Sequence, residues 1–231
     1  MQQGAAAPAP PTSGMVVRWR GTNLVQVAGR VSSWTDISGS GDTARNAVQA
    51  TGAIQPAYSA SDAAFNGEPT VSFSRARGDM LVTGAWSIAV AQGWTWIVVG
   101  KCIAGAADKY FIDSRLAATQ YALIGTDAGF YAYCGAASSS GVATTSASVM
   151  VARLNGVSTK FNVNTNTAVT PGVSPGANTA TGITIGNYAG GGGFCPDGAI
   201  AEIIAYSRLL SDAEVLDINA YASARYGVPI S

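Results

Sequence analysis

The stretch from Gly198 to Pro229, GAIAEIIAYSRLLSDAEVLDINAYASARYGVP, constrains the fold of this chain more than any other. It reads as a buried strand, a tight corner, one helix and a stop. In Ala199 to Tyr206, Ile200, Ile204 and Tyr206 alternate with Ala201, Ile203 and Ala205, the two-residue period of a strand. Both sets are apolar or small, so both faces should be covered. Ser211 offers an N-cap hydroxyl, and Glu214 three residues later completes a capping box. Leu210 and Val215 are placed to staple across that cap. Val215, Ile218, Ala222 and Tyr226 recur at helical spacing as one apolar stripe, and Gly227 and Pro229 end the helix. A single capped helix in an otherwise strand-like chain needs a sheet to lie on.

The rest of the chain supplies short strands separated by turns. Residues 1–15 form an Ala/Pro-rich arm in which Pro8, Pro10 and Pro11 favour extended polyproline geometry. The body, 16–231, opens with a strand at Met15 to Trp19, then a polar, Gly-rich passage around Trp34. Further strands are expected at Val71 to Phe73, after an Asn66-Gly67 turn, and at Trp94 to Lys101. Tyr110 to Asp113 follows, then Tyr121 to Gly125 and Phe130 to Cys134, the last two joined by Thr126-Asp127-Ala128-Gly129. Ala136 to Ser148 reads as a low-complexity loop. Val149 to Leu154 and Val157 to Val163 flank Asn155-Gly156, the pair that a type I′ hairpin turn prefers. Asn164 to Thr181 is read as loop and Ile183 to Gly186 as strand. This rhythm of short strands and turns argues for an antiparallel sandwich.

Composition narrows the function classes. Charged residues are 11% of the 231, against about 25% in ordinary domains, and the formal net charge is zero. No basic run is present to neutralise phosphates, so nucleic acid is not an expected partner. Of the thirteen cations only Lys101, Lys109 and Lys160 are lysines. An Arg-biased, nearly neutral surface suits a subunit packed in an assembly; a bias of the genome towards Ala, Gly and Arg accounts for it equally well. No apolar run reaches the roughly 18 residues of a membrane span, and no basic start and apolar core of a signal peptide follow Met1. Cys102, Cys134 and Cys195 form no CxxC pair, and the chain has no His, so a structural zinc site is not expected and buried free thiols are.

Several segments, taken in order, resemble the concanavalin A-like lectin/glucanase superfamily in its laminin G-like branch. They are Trp34-Thr35-Asp36-Ile37-Ser38-Gly39, Pro56, Asn66-Gly67-Glu68-Pro69-Thr70-Val71-Ser72-Phe73, the Asn155-Gly156 hairpin, Ile183-Thr184-Ile185-Gly186, and the closing strand and helix. The resemblance runs from about Val16 to Val228. It implies an all-β, antiparallel two-sheet jelly-roll sandwich with one C-terminal helix. Domains of this laminin G-like type occur in phage virion proteins and bacterial surface proteins. Together with the arm, that setting leads us to expect a non-enzymatic virion structural protein, a capsid decoration or appendage subunit on the virion surface. The arm residues Gln2, Gln3, Pro8, Pro10 and Pro11 would then grip neighbouring chains. The alternative is a carbohydrate-binding or adhesion module on a phage tail or bacterial surface, and a more distant one is a glycoside hydrolase.

The candidate chemistry is sparse. A glycosidase needs two carboxylates across the scissile bond, and the glucanase relatives carry theirs as Glu-x-Asp-x-Glu, which this chain lacks. Its glutamates are Glu68 in a turn, Glu214 at the cap, and Glu202 in the closing strand, where a partner such as Arg208 or Arg153 would satisfy it. Without His, a Ser-His-Asp or Cys-His nucleophile is excluded. Calcium is the one ion to weigh: Asp36, Ser38, Ser40 and Asp42 alternate in a Gly-rich loop, but Ala47 stands where a closing Glu would, and turn-forming Asp and Ser account for the passage. No cofactor is called for. For a glycan, Trp94 and Trp96 are read as core, which leaves Tyr131, Tyr133, Tyr188 and Phe194 as candidate binding aromatics.

Overall fold

A computed structural model describes residues 8–103, 108–126, 128–191 and 193–231. The strands in chain order are β1 (Met15–Arg20), β2 (Leu24–Val27), β3 (Arg30–Trp34), β4 (Ala47–Val48), β5 (Ala57–Ser59), β6 (Thr70–Phe73), β7 (Leu81–Thr83) and β8 (Thr95–Lys101). They continue as β9 (Lys109–Ser114), β10 (Ala122–Gly125), β11 (Phe130–Tyr133), β12 (Ala137–Ser139), β13 (Ser148–Arg153), β14 (Lys160–Val163), β15 (Ile183–Ile185) and β16 (Gly198–Tyr206), and helix α1 (Asp212–Tyr226) closes the chain. The fold is all-β with one C-terminal helix, and every strand pair is antiparallel.

The expected two separate sheets are replaced by one continuous hydrogen-bonded path. It runs β12-β11-β10-β9-β15-β7-β4-β3-β5-β6-β16-β8-β13-β14, with β1 added to β16 and β2 to β3. The pieces that join its two halves are very short: β4 has two residues, and β5, β7 and β15 have three each. Of these only β15 was read as a strand; β4, β5 and β7 are too short to show a two-residue period, so the sequence did not reveal the join. The sheet therefore curls around a single interior in a nearly barrel-like way. Trp19, Trp34, Trp94, Trp96, Phe111, Phe130 and Phe161 fill it. Trp94 and Trp96, with ring centroids 6.2 Å apart, are core as read.

A second apolar cluster lies on the outer face beneath α1. Ile97, Val99, Val149, Val151, Ile204 and Tyr206 meet Leu210, Val215, Ile218, Tyr221, Ala222 and Tyr226 there. The cap is as read: Ser211 Oγ accepts from Glu214 N and the Glu214 carboxylate accepts from Ser211 N, while Gly227 ends the helix at φ +67°. Each large side chain so buried contributes about 1.5–3 kcal/mol, more than the weak propensity of a 15-residue helix.

The strict alternation read in β16 does not hold. A bulge between Ile200 and Glu202 makes Ala201 the extra residue. Ile200, Ile203 and Ala205 face the interior, while Ala201, Ile204 and Tyr206 face the helix. A bulge advances the two-residue period by one, which no pattern count on the strand itself reveals. The Asn155-Gly156 hairpin differs too. The ladder ends at Arg153 opposite Lys160, so the loop spans 154–159 rather than two residues. Leu154 leaves it to exchange hydrogen bonds with the backbone of Gly93 and Trp94. Part of the loop read at 136–148 is strand β12, paired with β11. Cys102, Cys134 and Cys195 are buried free thiols, as read.

Candidate functional site

The four aromatics singled out for glycan binding are brought to one region, on the outer face of β9, β10 and β11. The register sets Tyr110, Ile124 and Tyr131 side by side across the three strands, with Ala122 and Tyr133 as the next pair along. A bulge between Leu123 and Ile124 makes Phe111 the extra residue, so Phe111 and Ile112 both enter the interior and Tyr110 is turned outward. The turn after β15 folds back over this face. Its Tyr188 ring lies 5.8 Å from Tyr110 and 5.9 Å from Phe194, and Phe194 lies 5.6 Å from Tyr110. These edge and tilted contacts are the arrangement that aromatic quadrupoles favour. Phe194 is 37% exposed, Tyr131, Tyr133 and Tyr188 are half-buried, and Tyr110 is buried beneath them.

Polar groups hold the patch in place. Tyr131 donates its hydroxyl to Asp108 Oδ1, and the Tyr188 hydroxyl donates to Ala117 O at 3.3 Å. Phe194 O accepts from Tyr110 N at 2.8 Å, which fixes the loop to the strand. Beneath the loop, Asp113 is fully buried and accepts from Ser114 N, Tyr121 N and Ala189 N at 2.8, 3.3 and 3.0 Å. Burial pushes its carboxyl up to about 6, against the lowering effect of those three donors. Burial, helped by Asp113 and Asp108, likewise pushes the Tyr110 phenol up to about 12. Among the described residues the patch is thus an aromatic surface with the Asp108 carboxylate on its border and Asp113 buried beneath it. Tyr110 and Asp108 were not singled out in the sequence, because the bulge that turns the one to the outer face and the fold that brings in the other leave no mark on spacing.

The remaining candidates are placed as follows. Gln2 and Gln3 lie outside the described residues. Pro10 is buried, and the chain from Pro11 to Gly14 is bound to the molecule's own body: Tyr206 donates its hydroxyl to Pro11 O at 2.8 Å, Arg208 Nε donates to Ser13 O at 2.9 Å, and Ser207 N donates to Gly14 O at 3.0 Å. Pro8 is exposed, beside Tyr221 and Arg225 of α1. In the Asp36 loop, the Asp36 carboxylate is saturated by Arg18 N, Ser38 N, Ser38 Oγ and Ser40 Oγ at 2.8–2.9 Å, while Asp42 caps a turn through Ala44 N and pairs with Arg45. These oxygens serve the turn. Among the described residues no group of three His, Cys, Asp or Glu could hold a metal, and no helix is long and apolar enough to cross a membrane.

The glutamates are all committed. Glu68 pairs with Arg225 at 2.8 Å and Glu214 with Arg208 at 2.5 Å. Glu202 is fully buried beneath α1, where it accepts from Arg18 Nε at 2.6 Å, Tyr221 Oη at 2.7 Å and Tyr226 Oη at 2.8 Å. Its partner is therefore Arg18 rather than Arg208 or Arg153, which bind Glu214 and Asp212. The bulge turns Glu202 towards the helix, and β1 pairing along β16 sets Arg18 beside it across 184 residues of sequence.

No protein-family profile matches the chain, and no curated protein matches it. Solved structures do share its fold. Domain 4 of AbnA, a GH43 extracellular arabinanase from Geobacillus stearothermophilus solved with arabinotriose, is 12% identical with a TM-score of 0.56, over 89% of this chain and 98% of that one. The binding domain of Paraclostridial Mosquitocidal Protein 1 is 8% identical with a TM-score of 0.58, over 90% of this chain and 52% of that one. Trypanosoma rangeli sialidase, solved with the inhibitor DANA, is 12% identical with a TM-score of 0.57, over 94% of this chain. The chain spans about a third (34%) of the sialidase. At these identities the likeness is one of fold alone: this chain shares an all-β architecture with the matched parts of these three proteins.

Proposed function

We propose that this chain is a non-catalytic carbohydrate-binding module, related to the concanavalin A-like, laminin G-like type, whose binding surface is the aromatic patch of Tyr131, Tyr133, Tyr188 and Phe194. The observation that carries this reading is the patch itself. Four aromatics from two separate stretches of sequence are gathered on one face around Tyr110, with Tyr188 and Phe194 packing edge to face and Tyr131 and Tyr133 beside them. Partly exposed aromatic rings offer a sugar contact area at little entropic cost. The similarity in fold to an arabinanase domain solved with arabinotriose and to a toxin's binding domain supports the same class. A hydrolytic role has less support, because Glu68, Glu202 and Glu214 are each tied to an arginine. The test is a glycan array followed by titration calorimetry, run with and without calcium. Phe194→Ala and Tyr188→Ala should each weaken binding about tenfold, the effect of removing a contact worth about 1.4 kcal/mol. An array that stays blank in both conditions sinks this reading.

The second reading is a structural subunit of a virion, a capsid decoration or appendage protein bound to its neighbours. What supports it is the low charge and the apolar surface around β2, where Val25, Val27 and Val48 are 55%, 66% and 50% exposed. Because residues 11–14 are spent on the chain's own body, the grip on a neighbour falls to Met1 to Pro8 and to that surface. Deleting residues 2–7 should then abolish incorporation into particles and leave thermal melting unchanged. Full incorporation of the deleted chain refutes it.

A further inference from the structure

The outer face of the sheet is covered by α1 over only part of its width. Beyond the helix, one row of residues runs across five adjacent strands: Arg30 on β3, Ala57 on β5, Ser72 on β6, Ala199 on β16 and Lys101 on β8, each the direct partner of the next. Partners on antiparallel strands point to the same face, so the three small side chains make a floor and the two cations stand at its ends. Four strand spacings separate those ends, about 19 Å. The result is a trough of about 500 Å³, within the size range of ligand sites.

The charges along the trough are not balanced at every point. Asp79 is held by Arg77 at 2.5 Å and accepts from Ser74 N, Asp62 pairs with Lys101 at 3.8 Å and accepts from Ala64 N, and Asp197 pairs with Arg75 at 3.7 Å and accepts from Arg75 N. Each carboxylate has its own cation. Among the described residues Arg30 makes no ion pair, and its Nη1, closed to solvent, makes no hydrogen bond. A half-buried guanidinium without an acceptor is costly, and the Nε and Nη2 side of Arg30, on the lining of the trough, can meet a carboxylate with two parallel hydrogen bonds. We propose that this trough binds a carboxylate-bearing oligosaccharide, with Arg30 receiving the carboxylate. A peptide fits less well, because all five strands are paired on both sides and offer no free edge for strand addition. Ser72 on the floor, and Ser74, Asp62 and Lys101, which also line the trough, are the partners that sugar hydroxyls use. The site is separate from the aromatic patch, although Arg75 touches both, through Asp197 on one side and Asp108 O on the other.

Titration calorimetry with tetragalacturonate and with uncharged galactotetraose tests the proposal. The acidic sugar should bind at least tenfold more tightly than the neutral one. Arg30→Gln should lose at least tenfold for tetragalacturonate, the range expected for a charge-assisted pair. Its melting temperature should not fall, because Arg30 holds no other side chain. Phe194→Ala should leave tetragalacturonate binding unchanged even where it abolishes binding at the aromatic patch. No binding of tetragalacturonate at millimolar concentration, or undiminished binding by Arg30→Gln, overturns the proposal. Equal loss in Phe194→Ala overturns it as a separate site. Hexaglutamate binding as tightly, with the same dependence on Arg30, overturns the saccharide assignment in favour of an acidic peptide.

Discussion

Glu202 is the point at which the helix, the closing strand and the first strand are tied together, and replacing it should loosen all three. In Glu202→Ala the Arg18 guanidinium loses its carboxylate and the hydroxyls of Tyr221 and Tyr226 lose their acceptor. Removing one member of a buried ion pair costs about 3–5 kcal/mol. Arg18 is 17% exposed and can recover some hydration, so the low end, about 3 kcal/mol, applies. In a chain of this size each kcal/mol shifts melting by about 2–4 °C, which gives a fall of about 6–12 °C. Glu202→Gln keeps the shape and one acceptor, and should lose about half as much. The assay is urea and thermal unfolding followed by tryptophan fluorescence, extended to a double-mutant cycle with Arg18→Met and Glu202→Met. A coupling of about 1–3 kcal/mol is expected for groups in one network. A melting loss under about 2 °C for Glu202→Ala, or a coupling below about 0.5 kcal/mol, would show that the pair does not secure the helix.

Two further outcomes follow from buried titratable groups. Asp113, raised from 3.8 to about 6 by burial, binds its proton more tightly in the folded than in the unfolded chain. Its contribution is therefore fully present below pH 3.8 and is lost as the pH rises through about 6, by at most about 3 kcal/mol at 1.36 per pH unit. Urea unfolding of Asp113→Asn should lack that part of the slope between pH 4 and 6.5, and an unaltered slope would contradict the burial argument. Burial pushes the thiols of Cys134 and Cys195 up to about 12, so at pH 8 neither is a thiolate to any useful extent. A colorimetric disulfide reagent should leave both unmodified in the native protein and titrate all three cysteines in urea, and rapid native reaction at either of these two would show an open route to the interior.

The parts of the fold that were readable in the sequence are those whose signal is local. The capping box of Ser211 and Glu214, the stripe of Val215, Ile218, Ala222 and Tyr226, and the stop at Gly227 need only neighbours within a few residues. The tryptophans Trp94 and Trp96 and the three buried thiols were readable because a large apolar group, or a cysteine outside any metal or disulfide spacing, has few other places to go. The aromatics Tyr131, Tyr133, Tyr188 and Phe194 could be picked out by type, but not gathered. Their meeting depends on β10–β11 pairing and on a loop that arrives from more than fifty residues away.

Composition and periodicity by themselves determined that this chain is an antiparallel β protein closed by one capped helix, because strand and helix periods are set by backbone geometry alone. Only the tertiary structure decided that the strands form one curled sheet, that Glu202 belongs to Arg18, and that Tyr110 faces outward. Each of those outcomes turns on a single inserted residue at a bulge or on pairing between distant strands. Such pairing is fixed by which faces the whole molecule must bury, and not by any property of the residues that pair.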